Sequence, residues 1–179
     1  MHRTAMQSLG QLPSNLGPSA ADGRFPSTFL ALALAALPSV LAAPAQINFR
    51  ISPSVDTSKC LDVRGDFQAN GTAVDVFDCN ATAAQNWIIR PGTTKVQLAG
   101  TNFCLDAGSS PANGVGMKIW ECFDNLPAQQ WFLTADDRIA LENQGLCLDL
   151  TNGNVTNGNQ VQTWQCTDND INQAWRLQV

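Results

Sequence analysis

From Ser52 onward the apolar residues fall in short bursts cut by Gly, Pro, Asn and Asp, and no stretch carries a sustained helical period. The pattern predicts an all-β chain. In three segments, Thr72–Asp78, Gly116–Glu121 and Gln160–Gln165, the side chains alternate in character as a half-buried strand requires. Alternation puts Val74 and Val76, Met117 and Ile119, and Val161 and Thr163 on one face. The opposite face receives Asp75 and Phe77, Lys118 and Trp120, and Gln162 and Trp164. Trp164, on the face away from Val161 and Thr163, is expected to point outward. Asp75 and Lys118 read equally well as solvated surface charges. Turn chemistry separates the runs at Pro91-Gly92, Asn113-Gly114, Asp136-Asp137 and Asn157-Gly158.

The bursts repeat. Cys60-Leu61-Asp62, Cys104-Leu105-Asp106 and Cys147-Leu148-Asp149 recur at intervals of 44 and 43 residues. A second cysteine follows each at 19, 18 and 19 residues (Cys79, Cys122, Cys166), and then comes Gln-x-Trp, at Gln85/Trp87, Gln129/Trp131 and Gln173/Trp175. Three units result, over about residues 52–93, 94–136 and 137–179. Six cysteines allow fifteen pairings, and the symmetry favours Cys60–Cys79, Cys104–Cys122 and Cys147–Cys166. Each would close a loop of about 20 residues, for which the chain-entropy model gives about 3 kcal/mol. Trp87, Trp131 and Trp175, placed identically in all three units, read as core anchors.

The first 45 residues have a different composition. Phe29–Leu37 is an apolar run with Arg24 upstream and an Ala43-Pro44-Ala45 cleavage pattern downstream, so a signal-bearing leader is expected over 1–45 and a mature domain over 46–179. The run falls short of the ~20 apolar residues that span a bilayer. Of ten Lys and Arg, Arg3 and Arg24 precede Gln46, leaving eight; of fifteen acids, Asp22 does, leaving fourteen. That acidic balance argues against nucleic-acid partners, and no polybasic face points to a membrane. An even cysteine count behind a leader suggests disulfides and an extracellular location. The sequons at Asn70, Asn80 and Asn154 fit a glycoprotein.

With its Cys-Leu-Asp, second-Cys and Gln-x-Trp elements in three units, the segment Ser52–Val179 resembles the ricin B-type lectin domain and the similar family 13 carbohydrate-binding modules. The resemblance implies a β-trefoil of twelve strands with pseudo-threefold symmetry and up to one shallow sugar pocket per repeat. The family's pocket positions are all matched in the third repeat, by Asp149, Gln162, Trp164, Asn172 and Gln173. The second keeps Asp106, Trp120 and Gln129 but has Lys118 and Ala128, implying a weaker site. The first keeps Asp62 and Gln85, with Asp75, Phe77 and Ala84 elsewhere, and is expected not to bind. Gln173 is ambiguous, since Gln85 and Gln129 persist where other pocket positions have changed. Galactose-type or xylan-type glycans are the implied ligands.

The chemistry of the residues points to the same class. A sugar offers an apolar C–H face and a rim of hydroxyls, which an aromatic plate and fixed polar groups can match. The only histidine, His2, lies in the leader, leaving the mature chain no imidazole for a catalytic triad or a zinc site. No metal or cofactor is expected. Carboxylates remain for glycoside hydrolysis, but Asp62, Asp106 and Asp149 repeat by symmetry, as binding sites would and one asymmetric catalytic pair would not. The expectation is therefore a secreted, non-enzymatic sugar binder. Its alternatives are a trefoil acting through protein contacts, such as a protease inhibitor, or a small glycoside hydrolase.

Overall fold

A computed structural model describes residues 46–179; the expected leader and its cleavage site lie outside the described residues. The chain from Phe49 onward is built of short strands and single 3-10 turns. The first repeat contributes β1 (Arg50–Pro53), β2 (Lys59–Val63), β3 (Val74–Asp78) and β4 (Trp87–Ile88). After β5 (Gly92–Thr94) come β6 (Gln97–Leu98), β7 (Phe103–Asp106), β8 (Val115–Gly116), β9 (Lys118–Glu121) and β10 (Trp131–Leu133). The third repeat holds β11 (Ile139–Leu141), β12 (Leu146–Asp149), β13 (Asn159–Gln160), β14 (Gln162–Gln165) and β15 (Trp175–Gln178). The β8/β9 and β13/β14 pairs are each one strand interrupted at a single residue, Met117 and Val161. With those joined and β5 set aside, the twelve strands of a β-trefoil remain, four per repeat.

The interruptions have a physical cause. Val74 N–H donates to Met117 C=O at 3.0 Å, Met117 N–H to Val161 C=O at 2.8 Å, and Val161 N–H to Val74 C=O at 3.1 Å. These three backbone bonds form a closed ring about the pseudo-threefold axis, drawing Met117 and Val161 out of their own ladders, while Val74 also keeps its pairing with Val63 in β2. All three side chains are fully buried. They join a single core with Leu61, Leu105, Leu148, Ile119 and the three Gln-x-Trp tryptophans. Each tryptophan donates its indole N–H to the carbonyl of the leucine in its repeat's Cys-Leu-Asp: Trp87 to Leu61 at 2.9 Å, Trp131 to Leu105 at 3.0 Å, and Trp175 to Leu148 at 3.0 Å. A large apolar body is thus buried with its one polar atom satisfied, as a core tryptophan requires.

Chain closure comes from β1 pairing antiparallel with β15, Arg50 opposite Gln178. The disulfides are the three within-repeat bridges that the symmetry favours, Cys60–Cys79, Cys104–Cys122 and Cys147–Cys166. One reading changes. Asp75 is not a solvated charge but is buried, its Oδ2 accepting from Arg64 Nε at 2.8 Å. Lys118 is likewise only partly exposed, its ammonium 3.5 Å from Asp106 Oδ1 and 5.8 Å from the Trp120 ring centre. In both cases an opposite charge that the linear pattern does not reveal draws the side chain inward.

Candidate functional site

Strand register builds the same small cleft three times. In each repeat the aspartate of Cys-Leu-Asp lies at or one residue before the end of a strand whose antiparallel partner carries the outward aromatic. Cys147 stands opposite Trp164 and Asp149 opposite Gln162. Cys104 and Asp106 stand opposite Trp120 and Lys118 in the second repeat, and Cys60 and Asp62 opposite Phe77 and Asp75 in the first. The aromatics are comparably exposed, Trp164 at 41%, Phe77 at 39% and Trp120 at 37%, so every repeat offers a plate. The aspartates are nearly buried, with only a carboxylate edge available.

Behind each aspartate lies the Gln of Gln-x-Trp, on a single 3-10 turn: Ala83–Gln85, Pro127–Gln129 and Ile171–Gln173. Gln173 is fully buried. Its Nε2 donates to Gln165 C=O at 2.9 Å and to Asp149 Oδ2 at 3.3 Å, while its Oε1 accepts from Thr167 N–H at 2.9 Å. Gln129 repeats this pattern with Glu121, Asp106 and Phe123, and Gln85 with Asp78, Asp62 and Asn80. With donors and acceptor engaged and no exposed surface, Gln173 and Gln129 stand behind the clefts. Each donates to its aspartate from behind the cleft, a supporting position that the expected sugar-contact role did not include. Burial is decisive here, and the sequence pattern alone did not reveal it.

The third cleft, about 200 Å³, is lined by Asp149, Asn152, Gln162, Trp164, Asp170 and Asn172. Gln162 Nε2 donates to Asp149 Oδ1 at 2.9 Å, so both carboxylate oxygens are tethered while lone pairs stay free. Asp170 accepts from the Asn172 backbone N–H at 3.0 Å and starts the turn carrying Asn172. Sequence reasoning missed Asp170 and Asn152. The first was legible as an Asp-x-Asn cap two residues before Asn172; the second, a left-handed residue at φ +55°, leaves only a weak Asn-Gly turn signal. Asn172 also depends on Gly153: a Cβ there would meet Asn172 Oδ1 at 2.9 Å, and its φ of +63° favours glycine in any case. The Trp164 plate is backed from the preceding repeat. Asn113 Oδ1 accepts from Gln165 N–H at 2.7 Å, and Gly114 passes close enough that a Cβ would stand 3.9 Å from the indole.

The other two clefts differ in chemistry. The second, about 270 Å³, replaces Asp170 and Asn172 with Leu126 and Ala128 and places the Lys118 ammonium beside Asp106. The first, about 190 Å³, is lined by Asp62, Asp66, Phe77, Asn80, Thr82 and Ala84 together with Gly65. Asp75 is turned away to its ion pair with Arg64.

Sequence comparison agrees with this geometry, since residues 48–175 match the ricin-type β-trefoil lectin domain. The chain belongs to the ricin-type β-trefoil lectin family. A search of curated protein sequences gave no significant match. Among solved structures, the trefoil is similar to a designed threefold-symmetric protein, ThreeFoil, at 22% identity and a TM-score of 0.66, covering 73% of this chain and 96% of that one. It is similar to the Macrolepiota procera ricin B-like lectin, solved with lactose, at 17% identity and a TM-score of 0.62, over 76% of this chain and 97% of that one. The C-half of the earthworm R-type lectin, solved with GalNAc, matches at 20% identity and a TM-score of 0.60, over 73% and 97%. At these identities the likeness speaks to the fold.

As a member of a carbohydrate-binding family, this trefoil presents acceptors held in place by buried amides, and their electrostatics differ between repeats. Burial raises the Asp149 pKa above the usual carboxylate range, opposed by its hydrogen bonds from Gln162 and Gln173 and reinforced by nearby Asp170. Asp62 is pushed to about 6, again chiefly by burial, with Gln85 opposing and Asp75 and Asp66 adding repulsion. Among the described residues no cluster of His, Cys, Asp and Glu is arranged to hold a metal ion. No described helix is long and apolar enough to cross a membrane.

Proposed function

We propose that this protein is a secreted, non-catalytic lectin that binds galactose-type or xylan-type glycans mainly through its third repeat. The observation that carries this reading is the third cleft, where Asp149, tethered by Gln162 and Gln173, faces a 41%-exposed Trp164 plate within a rim otherwise of amides and Asp170. A pyranose ring stacked on Trp164 would place its hydroxyls against Asp149, Gln162 Oε1 and the Asn172 carboxamide. Charge-assisted hydrogen bonds of this kind contribute about 1.5–3 kcal/mol, so Asp149 ranks next to the plate in importance. The second cleft supports weaker binding of a single sugar, because Leu126 and Ala128 replace hydrogen-bonding groups. Secretion is supported by the leader pattern and by three disulfides. A binding role is supported by the threefold repetition of the clefts, a catalytic centre having no use for three copies.

Glycan-array binding of the mature domain, Gln46–Val179, tests the proposal. Galactose- or xylose-containing glycans are expected to bind wild type, and binding of the single terminal sugar to be lost with Trp164→Ala. An array without hits, alongside inhibition of a protease, would favour the protein-contact alternative.

A further inference from the structure

The second cleft does not end at its aspartate. Gly108, Ser109, Leu126 and Ala128 line both it and a second trough of about 460 Å³, so the two adjoin. That trough alone exceeds the roughly 300 Å³ at which ordinary small-molecule pockets begin, a size that the third and first clefts, at about 200 and 190 Å³, do not reach. Its near wall is the Leu126-Pro127 step, where the third repeat has Asp170-Ile171 and the first Thr82-Ala83. Its far wall is the turn between β11 and β12, which belongs to the third repeat. The walls are fixed to each other: Glu142 N–H donates to Gln130 C=O at 2.8 Å, and Gln144 Nε2 to Pro127 C=O at 3.3 Å. Glu142 is steadied by Thr93, whose hydroxyl donates to its carboxylate at 3.1 Å.

We infer that the second repeat holds an extended groove for an oligosaccharide of three or more sugars, one end on Trp120 and the other against Glu142, Asn143 and Gln144. This rests on the lectin reading above and assigns the second site a ligand class of its own. The lining supports a glycan chain. Pro111, Leu126 and Pro127 offer apolar surface for successive C–H faces, while Gln130, Glu142, Asn143 and Gln144 offer amides and a carboxylate for the hydroxyl rims. What extends the second cleft is the neighbouring trough between the Leu126-Pro127 step and Glu142–Gln144; the first cleft also lacks the Asn172 and Asp170 equivalents but has no such trough beside it among the described cavities. Among the described cavities, neither the third nor the first cleft shares its lining with a neighbour.

Single-cleft proteins test the inference by titration calorimetry with xylose to xylotetraose and galactose to β-1,4-galactotetraose. In Trp164→Ala, which leaves the second site, affinity for the series that binds should rise at least tenfold from one sugar to three. In Trp120→Ala, which leaves the third site, it should stay within threefold. Asn143→Gly, which keeps the left-handed backbone at φ +59°, combined with Gln144→Ala in the Trp164→Ala background, should abolish the gain without changing monosaccharide affinity. A flat series in Trp164→Ala, or a gain that survives the double substitution, would overturn the groove while leaving the lectin reading intact. No heat from wild type with either series, together with an array without hits, would overturn both. Circular dichroism melts establish that each variant is folded, which is expected for substitutions at exposed positions.

Discussion

Replacing Gln173 with alanine separates a supporting role from a contact role. The wild-type carboxamide satisfies Thr167 N–H, Gln165 C=O and one oxygen of Asp149, all from a fully buried position. Truncation strands two partly buried backbone groups at about 1 kcal/mol each and leaves a cavity where the side chain stood, for a total of about 2–4 kcal/mol. For a domain of this size, that lowers the melting temperature by about 8–15 °C. Asp149 keeps Gln162 and its position in β12, so sugar affinity should fall only about 3- to 10-fold, less than for Asp149→Ala. The symmetry supplies its own control, because Gln85→Ala and Gln129→Ala remove equivalent bonds and should melt equally early while leaving third-cleft binding intact. Differential scanning calorimetry and sugar titration on the three variants decide the matter. If Gln173→Ala melts within about 2 °C of wild type yet no longer binds, its amide touches the ligand and the supporting role is wrong.

Trp164→Ala and Asp149→Ala should each cost about 1–3 kcal/mol of monosaccharide affinity by titration calorimetry, Trp120→Ala less, and Phe77→Ala next to nothing. Gly153→Ala should destabilise the domain by about 1–2 kcal/mol and weaken binding together, because its Cβ would displace Asn172 and its φ of +63° is strained; unchanged affinity would remove Asn172 from the site. Asp62 gives a pH prediction. Its folded pKa of about 6 lies above the unfolded value near 4, so it contributes stability that is fully present below pH ~4 and lost as pH rises through 6. Asp62→Asn should therefore gain about 2–3 kcal/mol over wild type at pH 8 and nothing at pH 4 in urea unfolding, and an equal gain at both would refute the buried-charge account.

Much of this molecule is legible along the chain. Cys-Leu-Asp, the second cysteine and Gln-x-Trp recur with a spacing that sets three equal units, the disulfide pairing and the buried tryptophans, because a repeated unit must bury the same face each time. Alternation in the strand of Gln162 and Trp164 sufficed to turn that aromatic outward, since side chains on a strand have only two sides to choose from. Other features depend on residues distant in sequence. That Asp75 is buried follows from Arg64, eleven residues away across a hairpin, and that Gln173 backs Asp149 follows from packing 24 residues apart. The ring of backbone bonds through Val74, Met117 and Val161 and the groove between Leu126 and Gln144 exist only once three repeats close on one another. Periodicity determines which way a side chain faces; only tertiary packing determines what it meets there, because charge pairing, burial and cavity shape are properties of neighbours that the linear order does not bring together.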